Sequence, residues 1–194
     1  LGYSDTPHRK PRVRERRREL EQRYGKEYMD DVLDSEIHAE KLYRERGSTR
    51  DVTLGEPEAA KKLGIEHEVG RKKRPMVDLV VENSYGRLRP VEVKNQTRVK
   101  FWDSDEGVSK KLRAIADNAP PEVLDRVEHY EVIINRNSVL VDNCKVTSSG
   151  ELWTLVDGSV IPPVWQRVEF GGKRVIVRRG DLGKISETKR KSAR

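Results

Sequence analysis

A single cysteine, Cys144, in 194 residues leaves no partner for an internal disulfide and too few thiols for a Cys-only zinc site. Nothing therefore points to an oxidising compartment, and an intracellular location is the default expectation. Long apolar runs are missing too. None approaches the roughly 20 residues of a spanning helix, no secretory apolar segment stands near the start, and the ends show no amphipathic apolar face, so no membrane partner is expected. The chain opens at Leu1 without an initiator methionine, which suggests processing or a larger precursor. P-loop, zinc-finger, nucleophile-elbow and dinucleotide signatures are all absent, which removes support from the enzyme classes that need them. Apolar residues make up only 34%, against 38% charged, so one core of about 100–150 residues with extensions is expected.

Charge is abundant and uneven. Residues 9–18, RKPRVRERRR, hold seven basic side chains and one acid, and residues 184–194 hold five and one. The remainder carries 28 basic and 31 acidic residues, so the net +7 belongs to the two ends. Arg-rich arms attract polyphosphate, because each neutralised phosphate releases condensed counterions whatever the base sequence. Nucleic acid, DNA or RNA, is the favoured partner.

Residues 1–13, with Gly2, Pro7 and Pro11, read as an extended arm, and about Val13 to Tyr28 as a solvent-facing helix with little apolar face. A second helix is expected over about Asp30–Arg46, stopping at Gly47, and a short one over Glu58–Leu63, closed by Gly64. From Pro75 the period becomes two. MVDLVVE and RLRPVEVKN flank SYG, a hairpin signature. Helix returns at about Asp105–Asn118, a shorter helical piece follows Pro120–Pro121, and HYEVIIN over 129–135 is a buried-strand run. Weaker strands are expected near 139–142, 152–156, 164–170 and 174–178. This order predicts an α/β fold, a mixed central β-sheet flanked by helices. The boundaries are a basic arm and helix over 1–28, a folded domain over 29–180, and a basic tail over 181–194.

The hairpin concentrates chemistry. Side chains alternate along a strand, so Met76, Asp78 and Val80 share one face while Val77, Leu79 and Val81 share the other. On the second strand Glu92 and Lys94 share a face. A three-residue loop, Ser84-Tyr85-Gly86, pairs Asn83 with Arg87 and sets Asp78 across from Glu92. A four-residue loop would throw the two carboxylates onto different faces. The apolar residues settle the choice, because the shorter loop also pairs Leu79 with Val91 and Val77 with Val93. Two carboxylates held about 5 Å apart repel unless a cation or a shared proton lies between them. Mg²⁺, or Mn²⁺ in its place, suits one or two carboxylates completed by water and phosphate. Lys94 would then reach the scissile phosphate or the attacking water and offset developing negative charge.

PMVD, thirteen residues and then EVK resembles the signature of the PD-(D/E)XK nuclease superfamily over residues 75–96. The resemblance implies a restriction-endonuclease-like fold with basic N- and C-terminal extensions, and a magnesium-dependent endonuclease of DNA or RNA. It places Asp78 and Glu92 on the metal, Lys94 at the nucleophile or transition state, and Gln96 in support. Pro-Met-Val-Asp departs from the plain Pro-Asp pair by a small shift. In this family a Glu of the first helix often joins the site. Met29, Val32, Leu33, Ile37 and Tyr43 form one helical stripe with Glu36 and Glu40 at its centre, where carboxylates are costly unless paired. Glu40 is preferred as the third metal ligand, and Glu36 is the alternative.

Arg71, Lys72, Lys73 and Arg74, just before the hairpin, and Arg98 and Lys100, just after it, are the expected nucleic-acid-binding cations. Lys110, Lys111 and Arg113 are further candidates for a backbone phosphate. Phe101 and Trp102 either stack on bases or pack on the sheet. Trp153 and Trp165 are expected in the core of the C-terminal strands. Restriction, repair and toxin-type nucleases all fit, the last implying an immunity partner. A catalytically silent nuclease-like subunit of a large ribonucleoprotein, such as a ribosome, is the alternative, its arms ordering on RNA.

Overall fold

The computed structural model describes residues 11–102 and 107–185. It opens with two helices, α1 (Pro11–Tyr24) and α2 (Lys26–Arg44), joined at Gly25 with φ 76°. Then come β1 (Thr49–Leu54), α3 (Glu56–Lys62), the short β2 (Glu68–Val69) and β3 (Lys72–Lys73), and the hairpin β4 (Leu79–Asn83) and β5 (Leu88–Lys94). After β6 (Arg98–Val99), α4 (Val108–Asn118) and α5 (Pro121–Arg126) lead to β7 (Tyr130–Asn135) and β8 (Val139–Leu140). The chain finishes with β9 (Cys144–Val146), β10 (Leu152–Asp157), β11 (Val164–Arg167), β12 (Glu169–Phe170) and β13 (Lys173–Gly180).

The largest sheet has the order β1-β4-β5-β7-β13-β12. It is mixed: β5, β7 and β13 run parallel, and the β1–β4, β4–β5 and β12–β13 pairs are antiparallel. Parallel neighbours need a crossover, and α4 with α5 supplies the one from β5 to β7. Apolar residues on alternate strand positions feed two cores. Leu79, Val81, Val91, Val93 and Ile133 pack with Val13 and Leu20 of α1 and Leu33, Ile37 and Tyr43 of α2. Val80, Leu88, Val132 and Ile134 pack with Ala59 and Leu63 of α3 and Val108, Leu112 and Ile115 of α4. Covering both faces explains why every residue of β4 and β7 is buried.

The hairpin has the register its loop predicts. Leu79 pairs with Val91, and the Asn83 amide donates to the Arg87 carbonyl at 3.0 Å. Gly86 closes the loop at φ 76°, a left-handed conformation that a Cβ disfavours. Nothing lies within 4 Å of a Cβ added there. Gly86→Ala is therefore expected to cost about 1 kcal/mol through backbone conformation alone, read as a lower urea midpoint at unchanged slope.

Several expectations need correction. The first helix is not a solvent-facing rod: Val13, Arg16 and Leu20, at i, i+3 and i+7, turn inward and are buried. It packs on α2, so the folded body reaches back into the expected arm. Leu182 belongs to the same core, and the Asn95 side-chain amide donates to the carbonyls of Leu182 and Lys184 at 3.2 and 2.8 Å. The rest of both arms, 1–10 and 186–194, lies outside the described residues, as do residues 103–106 at the expected start of α4 and the Met29 side chain. Strand β1 was not expected, because Thr49, Arg50 and Asp51 dilute its apolar pattern. Phe101 is core and Trp102 packs edge-on against it, which favours packing on the sheet over base stacking. Trp153 and Trp165 are only half-buried.

Candidate active site

Asp78 stands immediately before β4, and Glu92 and Lys94 lie in the last half of β5. All three are buried. The Asp78 and Glu92 carboxyl groups come within hydrogen-bonding reach of each other, and a hydrogen bond between them needs a proton on one. Strand geometry fixes Asp78 further, since its Oδ2 accepts the Val93 amide at 3.0 Å. Lys94 adds positive charge beside Glu92. The sequence expectation that these three share one end of the hairpin therefore matches their placement.

Two cations from the surrounding helices complete the cluster. Lys111 on α4 sits on the stripe Val108, Leu112 and Ile115 and brings its Nζ to 2.7 Å from Glu92 Oε2. This contact pairs the two buried charges directly. Arg16 on α1 donates through Nη2 to Asp78 Oδ1 at 2.9 Å. The same guanidinium forks onto Glu36, with Nε to Oε2 at 2.8 Å and Nη2 to Oε1. Its Nη1 reaches Glu56 Oε2 at 3.4 Å and Glu19 Oε2 at 2.7 Å.

Of the two α2 carboxylates, Glu36 is the one tied through Arg16 to Asp78. Glu40, the preferred ligand on sequence grounds, is four residues and about 6 Å of helix rise further along. It pairs with Arg44 at 3.2 Å, and Arg44 in turn donates to the Val52 carbonyl of β1. A wheel gives the face of a helix but not which turn passes the hairpin, and the turn that does so carries Glu36 rather than Glu40. Gln96 is half-buried, and its carbonyl accepts from Ser138 Oγ at 2.6 Å. Arg71, Lys72, Lys73, Arg98 and Lys100 are exposed; Arg74 is held to the Glu66 carbonyl. His38 is exposed.

Sequence reasoning missed Arg16, Glu19 and Glu56, and gave Lys111 to phosphate. Arg16 was hidden in a basic run, although its i, i+3, i+7 spacing with Val13 and Leu20 was a visible signal. Lys111 carried the same signal on α4.

Burial raises the Glu92 carboxyl, with the Asp78 charge adding to it and Lys111 opposing, so that it is pushed up to about 8. For Asp78 burial acts upward too, but the Glu92 hydrogen bond, Lys111, Arg16 and the Val93 amide together hold it well below the carboxylate range. A carboxyl with a raised folded-state pKa stabilises most below its unfolded value near 4.5 and loses that contribution as pH rises through about 8. In metal-free buffer, Glu92→Gln is thus expected to flatten the fall in denaturation midpoint between pH 4.5 and 8, checked by urea melts across that range.

The donor set, two buried carboxylates, has the oxygen chemistry of a hard divalent ion. Arg16 pairs with Asp78 and Lys111 with Glu92, and among the described residues no group of three or more His, Cys, Asp or Glu is gathered to hold a metal. Also among them, no helix is long and apolar enough to cross a membrane. No protein-family model matches the chain, and neither a curated protein nor a solved structure matches it.

Proposed function

We propose that this protein is a metal-dependent nuclease of the restriction-endonuclease-like type, hydrolysing phosphodiester bonds of DNA or RNA. The observation that carries the reading is the convergence of Asp78, Glu92 and Lys94 at one end of a hairpin whose register is fixed by its loop. The helix, three-strand meander, crossover helix and parallel strand around them suit the same reading. Asp78 and Glu92, with Glu36 near them, would hold Mg²⁺ or Mn²⁺. When bound, the ion would supply a Lewis acid for the phosphoryl oxygens and a more acidic water. Lys94 places a cation where negative charge develops, and the Val93 amide keeps Asp78 oriented. Exposed Arg71, Lys72, Lys73, Arg98 and Lys100 would track the backbone, a role that fixes position without reading sequence.

One observation favours a second reading, the catalytically silent nucleic-acid-binding subunit. Arg16 and Lys111 already neutralise the acids, as they would in a site retained only for packing. Incubating the purified protein with mixed DNA and RNA substrates, in Mg²⁺ or Mn²⁺ against a chelator, separates the two. Metal-dependent cutting lost in Asp78→Asn supports the nuclease. Salt-sensitive binding without cutting, unchanged in Asp78→Asn, contradicts it and supports the silent subunit.

A further inference from the structure

We propose that α1 is a removable plug, with Arg16 and a divalent ion as competing occupants beside Asp78. This rests on the metal-site reading above and adds a regulatory step to it. Both oxygens of Asp78 are engaged, Oδ2 by the Val93 amide and Oδ1 by Arg16. The amide is fixed by the sheet, so the Arg16 contact is the one that exchange with an ion must break. Arg16 also takes both oxygens of Glu36. A guanidinium and a divalent cation repel one another at such short range, so an ion on the same oxygens disfavours Arg16 there, and Arg16 disfavours the ion.

Access leads to the same conclusion. Asp78, Glu92 and Lys94 are only 6, 1 and 8% exposed, too little for a phosphodiester to reach them while the helices stay docked. Apart from Arg16, α1 is held by few apolar anchors. Its described apolar anchors are Val13 and Leu20, and it joins α2 through Gly25, a left-handed glycine that makes no side-chain cap. Exposed Arg14 and Arg18, with the single acid Glu15 between them, leave the outer surface net cationic, and the phosphate backbone of the substrate would bind there and favour the undocked state.

Hydrogen exchange of the full chain tests this, with Mn²⁺ as the probe and calorimetric Mn²⁺ binding alongside for wild type, Arg16→Gln and Asp78→Asn. Mn²⁺ is expected to speed exchange in residues 11–24 while β4 and β5 stay protected, and Asp78→Asn should abolish that response. Arg16→Gln should bind Mn²⁺ roughly tenfold or more tightly, as removing a closed state that masks the site requires. Binding seen only in Arg16→Gln supports the plug in its closed form. Asp78-dependent binding with unchanged α1 exchange and no gain in Arg16→Gln overturns the plug and leaves the metal site standing. No binding in either protein overturns both. Should Arg16→Gln fail to fold, the wild-type exchange decides alone.

Discussion

Lys94→Ala is expected to lower the turnover of metal-dependent cleavage by about 10²–10³-fold, the usual loss when one preorganised charge-stabilising donor is removed. Mn²⁺ affinity should not fall, because Lys94 is a cation and its removal takes nothing from the carboxylates. The strand fixes where the side chain stands: Lys94 pairs with Ile134 of β7, two residues beyond Glu92 on the same face. A role in packing alone would appear instead as a lower denaturation midpoint with turnover per folded molecule preserved. Single-turnover rates at saturating Mn²⁺, with urea melts of the same samples, distinguish the two. Lys94→Arg, which keeps the charge but changes its shape, should recover part of the rate.

Glu131→Ala is expected to destabilise the fold by about 3–5 kcal/mol, the range for removing one member of a buried ion pair. Glu131 lies on β7, fully buried. Its Oε2 accepts the Tyr43 hydroxyl at 2.5 Å, and its Oε1 meets Arg178 Nε at 2.9 Å and His129 Nε2 at 2.8 Å. The network therefore ties α2, β7 and β13 together. Burial alone would raise the Glu131 carboxyl, but the His129 contact, the Arg178 charge and the Tyr43 hydroxyl lower it to about 2. A lowered carboxyl pKa gives stability that is present above the unfolded value near 4.5 and is lost as pH falls through about 2. That shift corresponds to about 3 kcal/mol, since one pKa unit is about 1.4 kcal/mol. Glu131→Gln should remove this acid slope, and urea midpoints between pH 2 and 5 test it.

How much of this was legible depends on the range of the interaction involved. The hairpin was readable because its information is local: a three-residue loop ending in Gly86 and apolar partners that agree with it. That register alone brings Asp78, Glu92 and Lys94 to one place. The helices were harder. For α1, seven basic residues in ten concealed the inward face of Val13, Arg16 and Leu20. For α2, the stripe holding both Glu36 and Glu40 was visible, but its axial position against the sheet comes from tertiary packing. Strand β1 owes its place to pairing with β4 rather than to its own alternation. Glu56 meets Arg16 in the cluster, a contact 40 residues apart in sequence that no local pattern encodes.

Whether Asp78 and Glu92 bind a divalent ion is tested most directly by Mn²⁺ anomalous diffraction from crystals of the full chain, grown with Mn²⁺ in excess. A Mn²⁺ peak beside the Asp78 and Glu92 carboxylates, absent in Asp78→Asn, is the expected result. No peak beside the two acids at saturating Mn²⁺, in the wild type and in Arg16→Gln alike, would contradict it.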